Sequence, residues 1–478
     1  MVSNADAQLV ETHSAVVISI GDRVYKVKKP VNLGFLDFST VEARRVACHR
    51  EVELNRRLAP DVYLGVADVI APDGQPCEHL VVMRRMPADR RLTACLERGE
   101  NVDDALRQIA HDVAVLHERS PEAGEHAVGS TMPAVRRLWD AGFAQMAPCM
   151  GRVLDAAPAE RVESLVHRYL DGREQLFELR IAEGWIRDGH GDLQADDIFL
   201  LPDGPRVLDC IEFSDELRWG DALGDVAFLA MDLERLGRPD LAERFLAWHR
   251  EFSADTWPSS LAHHYIAQRA HVRAKVTAIR HDQGDPHAKG LANRLLELAC
   301  SHLEQARVRV VLIGGLPGTG KSTLAEAIGE KLPVVVLRTD EIRAPGAGYS
   351  TEAVTANYRE LVHRAAELVA LGESVVLDAS WSSDEMRVLA RAMADATSTD
   401  LVEIVCQVPA GMAADRISAR LQRGGDPSEA TPAIAAAMAA RFDPWPSATI
   451  IATDRAAAES LDDALRTIET PPTLEGDP

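Results

Sequence analysis

The sequence predicts two domains of different class: an α+β domain first, then an α/β domain built on a parallel sheet. Three observations carry that expectation. Residues 14–29 set two strand-like runs around a Gly21-Asp22 turn, with period-two alternation on the second, as an antiparallel hairpin does. From 308 onward the rhythm changes to short β-branched runs with helical patterns between them, the mark of a parallel sheet covered on both faces. A glycine-rich loop follows the first of those runs and leads into a helical pattern.

The elements follow in order. Ala15–Ile20 and Arg23–Lys28 form the arms of the first hairpin. A helix is predicted over 41–58, with Val46, Val52, Leu54 and Leu58 as its apolar positions, and Val62–Leu64 and Leu80–Met83 read as further strands. Leu106, Ile109, Val113 and Leu116 fall at helical spacing, and most of 156–186 and 221–252 is helical as well. Between those stretches lies a second hairpin, Ile198–Leu201 and Arg206–Asp209 around Pro202-Asp-Gly-Pro205. A long helical run occupies 260–306, interrupted by the Gly- and Pro-containing loop 284–290. The later strands are Val308–Ile313, Val334–Leu337, Ser374–Leu377 and Val402–Val405. The domains are expected at 1–303 and 304–478, and no internal repeat is visible.

At 478 residues the chain exceeds what one core usually serves. Its 52 basic against 74 acidic residues give a formal charge of −22, a field that repels nucleic acid and anionic membranes. A local cage of amides, lysine and Mg²⁺ still overcomes that sign for a bound polyphosphate. The seven cysteines are scattered and never form a C-x-x-C pair, which argues for a reducing compartment. No apolar run approaches the roughly 18 residues of a membrane span, and the first residues lack a signal pattern, so a cytoplasmic protein is expected.

Gly315-Leu316-Pro317-Gly318-Thr319-Gly320-Lys321-Ser322-Thr323 has the spacing of a phosphate-binding loop placed between strand and helix. Its amides wrap a β-phosphate, Lys321 adds a point charge, and Ser322 offers a Mg²⁺ ligand. Asp378, at the end of an apolar strand, is the candidate second Mg²⁺-side residue; an acidic loop residue is the alternative. This part resembles P-loop small-molecule and nucleotide kinases, within them the zeta-toxin and polynucleotide-kinase branch. The resemblance implies that Asp340 takes the proton of the acceptor hydroxyl and that Arg343 contacts phosphate; a helix N-cap is the other reading of Asp340. Arg416, Arg420 and Arg423 share a helix face, and the resemblance gives Arg420 and Arg423 a lid role over the transferred phosphate, against a solvated basic face.

His190-Gly191-Asp192-(x)4-Asp197 matches the catalytic loop of protein kinases and aminoglycoside phosphotransferases. There Asp192 accepts the hydroxyl proton and Asp197 holds Mg²⁺. The second hairpin brings Asp209 back beside Asp197, and two converging carboxylates call for a cation between them. Lys26 and Lys28 lie on one strand face with Glu51 on the next helix, as in a lysine–glutamate phosphate clamp; which lysine serves is open, and at least one is expected to face solvent. Without a Gly-x-Gly-x-x-Gly, Thr12-His13-Ser14 is the candidate cover. His190 is expected to prop the loop. Asp221, Asp225 and Asp232 are expected as caps and solvated acids, with loop orientation a further role open to Asp225. The basic stretch Gln268–Val276 is expected as a structural face satisfied by carboxylates.

The strings Val24–Ser39, Leu54–Pro60, His190–Leu193, Asp209–Phe213 and Ala227–Leu233 together resemble a bacterial family. In it an aminoglycoside-phosphotransferase-like, protein-kinase-like domain is fused to a P-loop domain of the AAA or zeta-toxin kinase type. The resemblance implies ATP, Mg²⁺ and an unidentified small-molecule acceptor. Asp197 departs from the asparagine usual in the wider phosphotransferases. The expected function is an ATP-dependent phosphotransferase with two nucleotide sites. Its rivals are a nucleotide-sensing regulator and a polynucleotide 5′-hydroxyl kinase.

Overall fold

The computed structural model describes residues 7–12, 14–32, 36–342, 350–423 and 430–469. By packing, the chain divides into two compact units. The first comprises Met1–Ala159, Phe177–Trp257 and Tyr265–His302; the second comprises Glu160–Leu176, Pro258–His264 and Leu303–Pro478. Two short segments of the expected 1–303 range therefore pack with the C-terminal part. Within that second unit Arg168 pairs with Asp400 at 2.7 Å, and Ser260 donates to the Gly372 carbonyl at 2.7 Å.

The first unit opens with strands β1 (Gln8–Glu11), β2 (Ala15–Ile20), β3 (Arg23–Lys28), β4 (Tyr63–Ile70) and β5 (Pro76–Arg84). They form one antiparallel sheet in the order β1-β2-β3-β5-β4. The predicted hairpin is β2–β3, with Val17 opposite Lys26. The helix Val41–Asn55 starts where Thr40 accepts the Ala43 amide at 3.1 Å. It buries Cys48 and Val52 against Val62, Tyr63 and Val81, while Val46, expected inward, is 50% exposed. In the helix Asp103–Arg119 the four residues at predicted spacing are all buried.

Further strands of this unit are β6 (Ile186–Asp188), β7 (Ile198–Leu201), β8 (Gly204–Val207) and β9 (Trp219–Asp221). The pair β7–β8 corrects the predicted second hairpin. The turn is Pro202-Asp203 alone: Leu201 faces Gly204 and Ile198 faces Val207. Asp209 thus lies two residues beyond the strand instead of ending it, and takes a left-handed φ of 67°.

The second unit contains β10 (Arg309–Gly314), β11 (Val334–Arg338), β12 (Ser374–Asp378), β13 (Asp400–Gln407) and β14 (Thr449–Ala452). All pair in parallel, in the order β11-β12-β10-β13-β14. Val311, Ile313, Val376, Ile404 and Ile451 pack against Leu324 and Ile328 of the helix Lys321–Lys331 and Ile468 of the helix Ala457–Glu469. From β10 the chain goes first to one side of the sheet and later to the other. Such a reversal leaves a crevice at the carboxyl end of the central strand, which is where the glycine-rich loop lies.

Candidate functional site

Each unit carries a cluster of its own. In the first, β3 directs Lys26 and Lys28 to the same face, and Glu51 comes down from the helix Val41–Asn55 between them. Lys26 Nζ lies 2.9 Å from Glu51 Oε1, and Lys28 Nζ lies 2.7 Å from Glu51 Oε2. Neither lysine faces solvent, contrary to the expectation for at least one. They differ in what else they hold. Lys28, 2% exposed, also pairs with Glu212 and lies 4.8 Å from the Phe38 ring centre. Lys26 reaches Asp209 Oδ1 at 2.7 Å, and the Asp209 side chain is 50% exposed. Burial opposes the Lys26 charge, yet Asp209, Glu51 and Glu212 outweigh it and hold the ammonium well above its usual range. Lys26 in turn keeps the Asp209 carboxyl below the carboxylate range.

Asp192 and Asp197 enter the same cluster. Loss of water pushes the Asp192 carboxyl up to about 6, with Arg273 pulling it down and Asp209 pushing it further up. Asp197 is driven well above the carboxylate range, first by loss of water, then by Asp209 and Asp192. A divalent cation between Asp197 and Asp209 removes that repulsion. Among the described residues no three His, Cys, Asp or Glu side chains form a closed metal cage. Mg²⁺ suits such a place, because it takes one or two carboxylates and completes its shell with phosphate oxygens and water.

The catalytic-loop segment is fixed from behind. Asp225 accepts the amides of His190 (2.8 Å) and Gly191 (2.7 Å) and pairs with His117 Nε2 at 2.9 Å. Burial disfavours its charge, but His117 and those donors prevail and hold its carboxyl well below the usual range. A Cβ at Gly189 would fall 2.5 Å from Asp225 Oδ2, so only glycine permits this approach. His190 is buried, kept neutral by burial, and its Nε2 meets the Leu208 carbonyl at 3.0 Å, in keeping with a propping role. Asp221, Asp225 and Asp232 are not solvated: all three are buried. Asp221 holds Arg180 and Asp232 accepts the Ala195 amide.

Several residues were missed by sequence reasoning. The Tyr63 hydroxyl accepts the Asp209 amide at 3.1 Å, and Asn55 Oδ1 accepts the Cys210 amide at 2.9 Å. Arg57 donates to the Gly189 carbonyl at 2.8 Å. Glu212, partner of Lys28, and Arg273, beside Asp192, complete the set. In the basic stretch Gln268–Val276, Arg269 donates to the Gly224 carbonyl (2.8 Å) and Lys275 to the Gln145 amide oxygen (2.8 Å), while the carboxylates of Asp225 and Asp192 act on Arg269 and that of Asp192 on Arg273, in keeping with the expected structural face. Of the candidate cover, Thr12 is tied to Ala15 and His13 lies outside the described residues.

In the second unit, the loop 315–320 runs from β10 into the helix Lys321–Lys331, with left-handed Gly320 at its start. Gly318, at φ +80°, packs so closely that a Cβ would lie 2.5 Å from the Ala413 carbonyl oxygen. Lys321, Ser322 and Thr323 form the first turn, where free amides and the helix dipole favour an anion. Asp378 ends β12 next to Lys321 and Ser322, 4% exposed. Burial pushes its carboxyl up, against the pull of Lys321, Ser322 and Arg338. Its Oδ1 is buried without a hydrogen-bond partner, so Asp378 and Ser322 fit a Mg²⁺ held between them.

Asp340 lies inside the first turn of the short helix Thr339–Ile342 instead of capping it, and lines a cavity of about 420 Å³ beside Lys321. Arg343 lies outside the described residues, as does the side chain of Arg423. Arg420 donates to the Ala430 carbonyl at 3.1 Å. The arginine the structure sets against the loop is Arg416. It donates to the Thr453 carbonyl at 2.9 Å and lines, with Gly320 and Thr323, a second cavity of about 200 Å³.

Known proteins resemble different parts of the chain. Residues 310–445 match the family described as an AAA domain. A choline/ethanolamine kinase family protein from Mesorhizobium loti aligns over 63% of this chain and 94% of its own, at 12% identity and a TM-score of 0.37. The APS kinase CysC of Mycobacterium tuberculosis aligns over 34% of this chain and 99% of its own, at 24% identity and a TM-score of 0.29. The fold is of the class expected, an α+β unit with an antiparallel sheet followed by an α/β unit with a parallel sheet and a glycine-rich loop. Uncharacterized proteins of Mycobacterium tuberculosis (strain H37Rv) and Mycobacterium bovis are 45% identical over 450 residues, covering 91% of this chain and 90% of theirs. The chain therefore belongs to the family that these mycobacterial proteins represent.

Proposed function

We propose that the chain is an ATP-dependent phosphotransferase with two nucleotide sites, each passing the γ-phosphate to a hydroxyl acceptor. The observation that carries the reading is the convergence at Lys26: one ammonium links Glu51 at 2.9 Å to Asp209 at 2.7 Å, beside Asp192 and Asp197. In the first unit Asp192 takes the acceptor proton while Lys26 steadies the phosphates. Mg²⁺ on Asp197 and Asp209 supplies neutralising charge there. In the second unit the amides of 315–322 and Lys321 hold the triphosphate, Ser322 and Asp378 hold its metal, and Asp340 takes the proton. Arg343, Arg420 and Arg423 are assigned to the transferred phosphate. Both sites work by positioning and charge.

A cytoplasmic setting fits seven free cysteines and the fact that, among the described residues, no helix is long and apolar enough to cross a membrane. The test is γ-labelled ATP with a metabolite mixture, given to the full chain, Asp192→Asn and Lys321→Ala. Each variant should lose its own set of labelled products; unchanged products in both would refute the proposal. One observation favours a nucleotide sensor for the first unit: Asp197 adds a third acid beside Asp192 and Asp209. That reading predicts ATP binding at Lys26 without any product sensitive to Asp192→Asn.

A further inference from the structure

We propose that the acceptor of the P-loop unit is a small alcohol that also bears an anionic group, and that Arg441 is the residue that recognises the anion. The inference rests on the reading that the loop 315–322 delivers a phosphoryl group. It narrows that reading to a chemical class.

The cavity of about 420 Å³ begins at the loop, with Pro317 and Lys321 in its wall, and includes Asp340. Its size lies near the lower end of the roughly 300–1,000 Å³ of small-molecule sites. One wall is apolar, made by Val354 and, from the helix Pro432–Ala439, by Ile434 and Met438. Three of the hydroxyls that line it, on Tyr358, Ser380 and Ser382, already serve the wall. Tyr358 Oη lies 3.0 Å from Ser380 Oγ and accepts the Trp381 amide at 2.9 Å, and Ser380 lies 3.3 Å from Ser382.

Arg441 stands apart from that network. It is exposed, lines the same cavity, and among the described residues no carboxylate pairs with it. With the charge of Lys321 taken up by ATP phosphates, Arg441 is, among the described residues that line this cavity, the cation left for the acceptor. A guanidinium selects a carboxylate or phosphate by two parallel N–H donors. A polynucleotide end would call for a row of cations along the strand, whereas among the described residues this cavity offers one arginine besides Lys321 and an apolar wall.

The reaction balances within the site. The acceptor oxygen bonds to the γ-phosphorus, its proton passes to Asp340, and the β–γ bridging bond breaks with its electron pair on the departing ADP.

The experiment uses the full chain carrying Asp192→Asn, so that label reports the P-loop unit alone. Matched acceptors are offered with γ-labelled ATP and Mg²⁺: glycerol with glycerate and glycerol phosphate, glucose with gluconate and glucose 6-phosphate, and a 5′-hydroxyl oligonucleotide. At least one anionic member is expected to exceed its neutral partner tenfold or more in kcat/KM. Arg441→Gln should then raise its KM about 10- to 100-fold with kcat little changed, and Arg441→Lys should recover part of the loss. Because Arg441 is exposed, melting of these variants should match the parent. The inference is overturned if neutral acceptors or the oligonucleotide are preferred, if no anionic member is labelled above its partner, or if Arg441→Gln leaves KM unchanged. Failure of the underlying reading looks different: ATP turnover by the same chain would then be insensitive to Lys321→Ala.

Discussion

Replacing the two lysines of β3 one at a time separates anchoring from ligand binding. Lys28 is 2% exposed, and its partners Glu51 and Glu212 are 0% and 9% exposed. In Lys28→Met both carboxylates lose a buried cation, and breaking a buried pair in this way costs about 3–5 kcal/mol. At roughly 2–4 °C per kcal/mol, the melting of the first unit should fall by about 6–20 °C. Lys26→Met is milder for the fold. Lys26 is 18% exposed, Glu51 keeps Lys28, and water reaches the half-exposed Asp209, so about 1 kcal/mol is expected. What Lys26→Met removes is the ammonium paired with Asp209, the one proposed to steady the phosphates. A charged hydrogen bond to phosphate contributes about 1.5–3 kcal/mol, or about 10- to 100-fold in the Kd for ATP with Mg²⁺. Calorimetry and titration with a fluorescent ATP analogue, both on a Lys321→Ala chain, read the two quantities separately. The reasoning is refuted if Lys28→Met melts like the parent while losing ATP, or if Lys26→Met falls as far as Lys28→Met.

Other predictions concern both units. Because the Asp192 carboxyl titrates near 6, it is mostly protonated at pH 5 and ionised at pH 7. Transfer by the first unit, measured in Lys321→Ala, should rise with pH through about 6 and then level off, whereas Asp192→Asn should be flat and about 10²–10⁴-fold slower. Asp225→Asn puts an amide where the His190 and Gly191 amides need an acceptor, 2.8 and 2.7 Å away. Stability of the first unit should drop by about 1–3 kcal/mol in denaturant titration, with product formation reduced more than ATP affinity. Gly318→Ala places a methyl 2.5 Å from a backbone oxygen at φ +80°, so ATP binding to the second unit should be lost in equilibrium dialysis. Tyr63→Phe removes the acceptor of the Asp209 amide and should weaken Mg²⁺-dependent ATP binding about fivefold, a loss near 1 kcal/mol.

What could be read from the sequence was what is local. The hairpin 15–28 and the loop 315–323 show themselves in consecutive residues, and both are where periodicity and spacing put them. β1 was not legible because all its residues are exposed, leaving no alternation to see, and in β14 only Ile451 is buried. The second hairpin misled because Pro202-Asp-Gly-Pro205 looks like one four-residue turn, whereas Gly204 and Pro205 already pair with Leu201 and Leu200. Asp221, which caps the helix Ala222–Arg235, and Asp225 and Asp232 within it looked solvated because their partners, Arg180, His117 and the Ala195 amide, lie far off in sequence. The choice between Lys26 and Lys28 depended on Asp209 and Glu212, which only tertiary packing brings to them.

The bond from the Asp209 amide to Tyr63, with that from Cys210 to Asn55, ties the segment after β8 to the edge strand β4 and the end of the first helix. The backbone at Asp209 is thereby anchored to the antiparallel sheet and to the first helix at once. In the proposed first site, a displacement of the sheet would carry the Asp209 backbone with it.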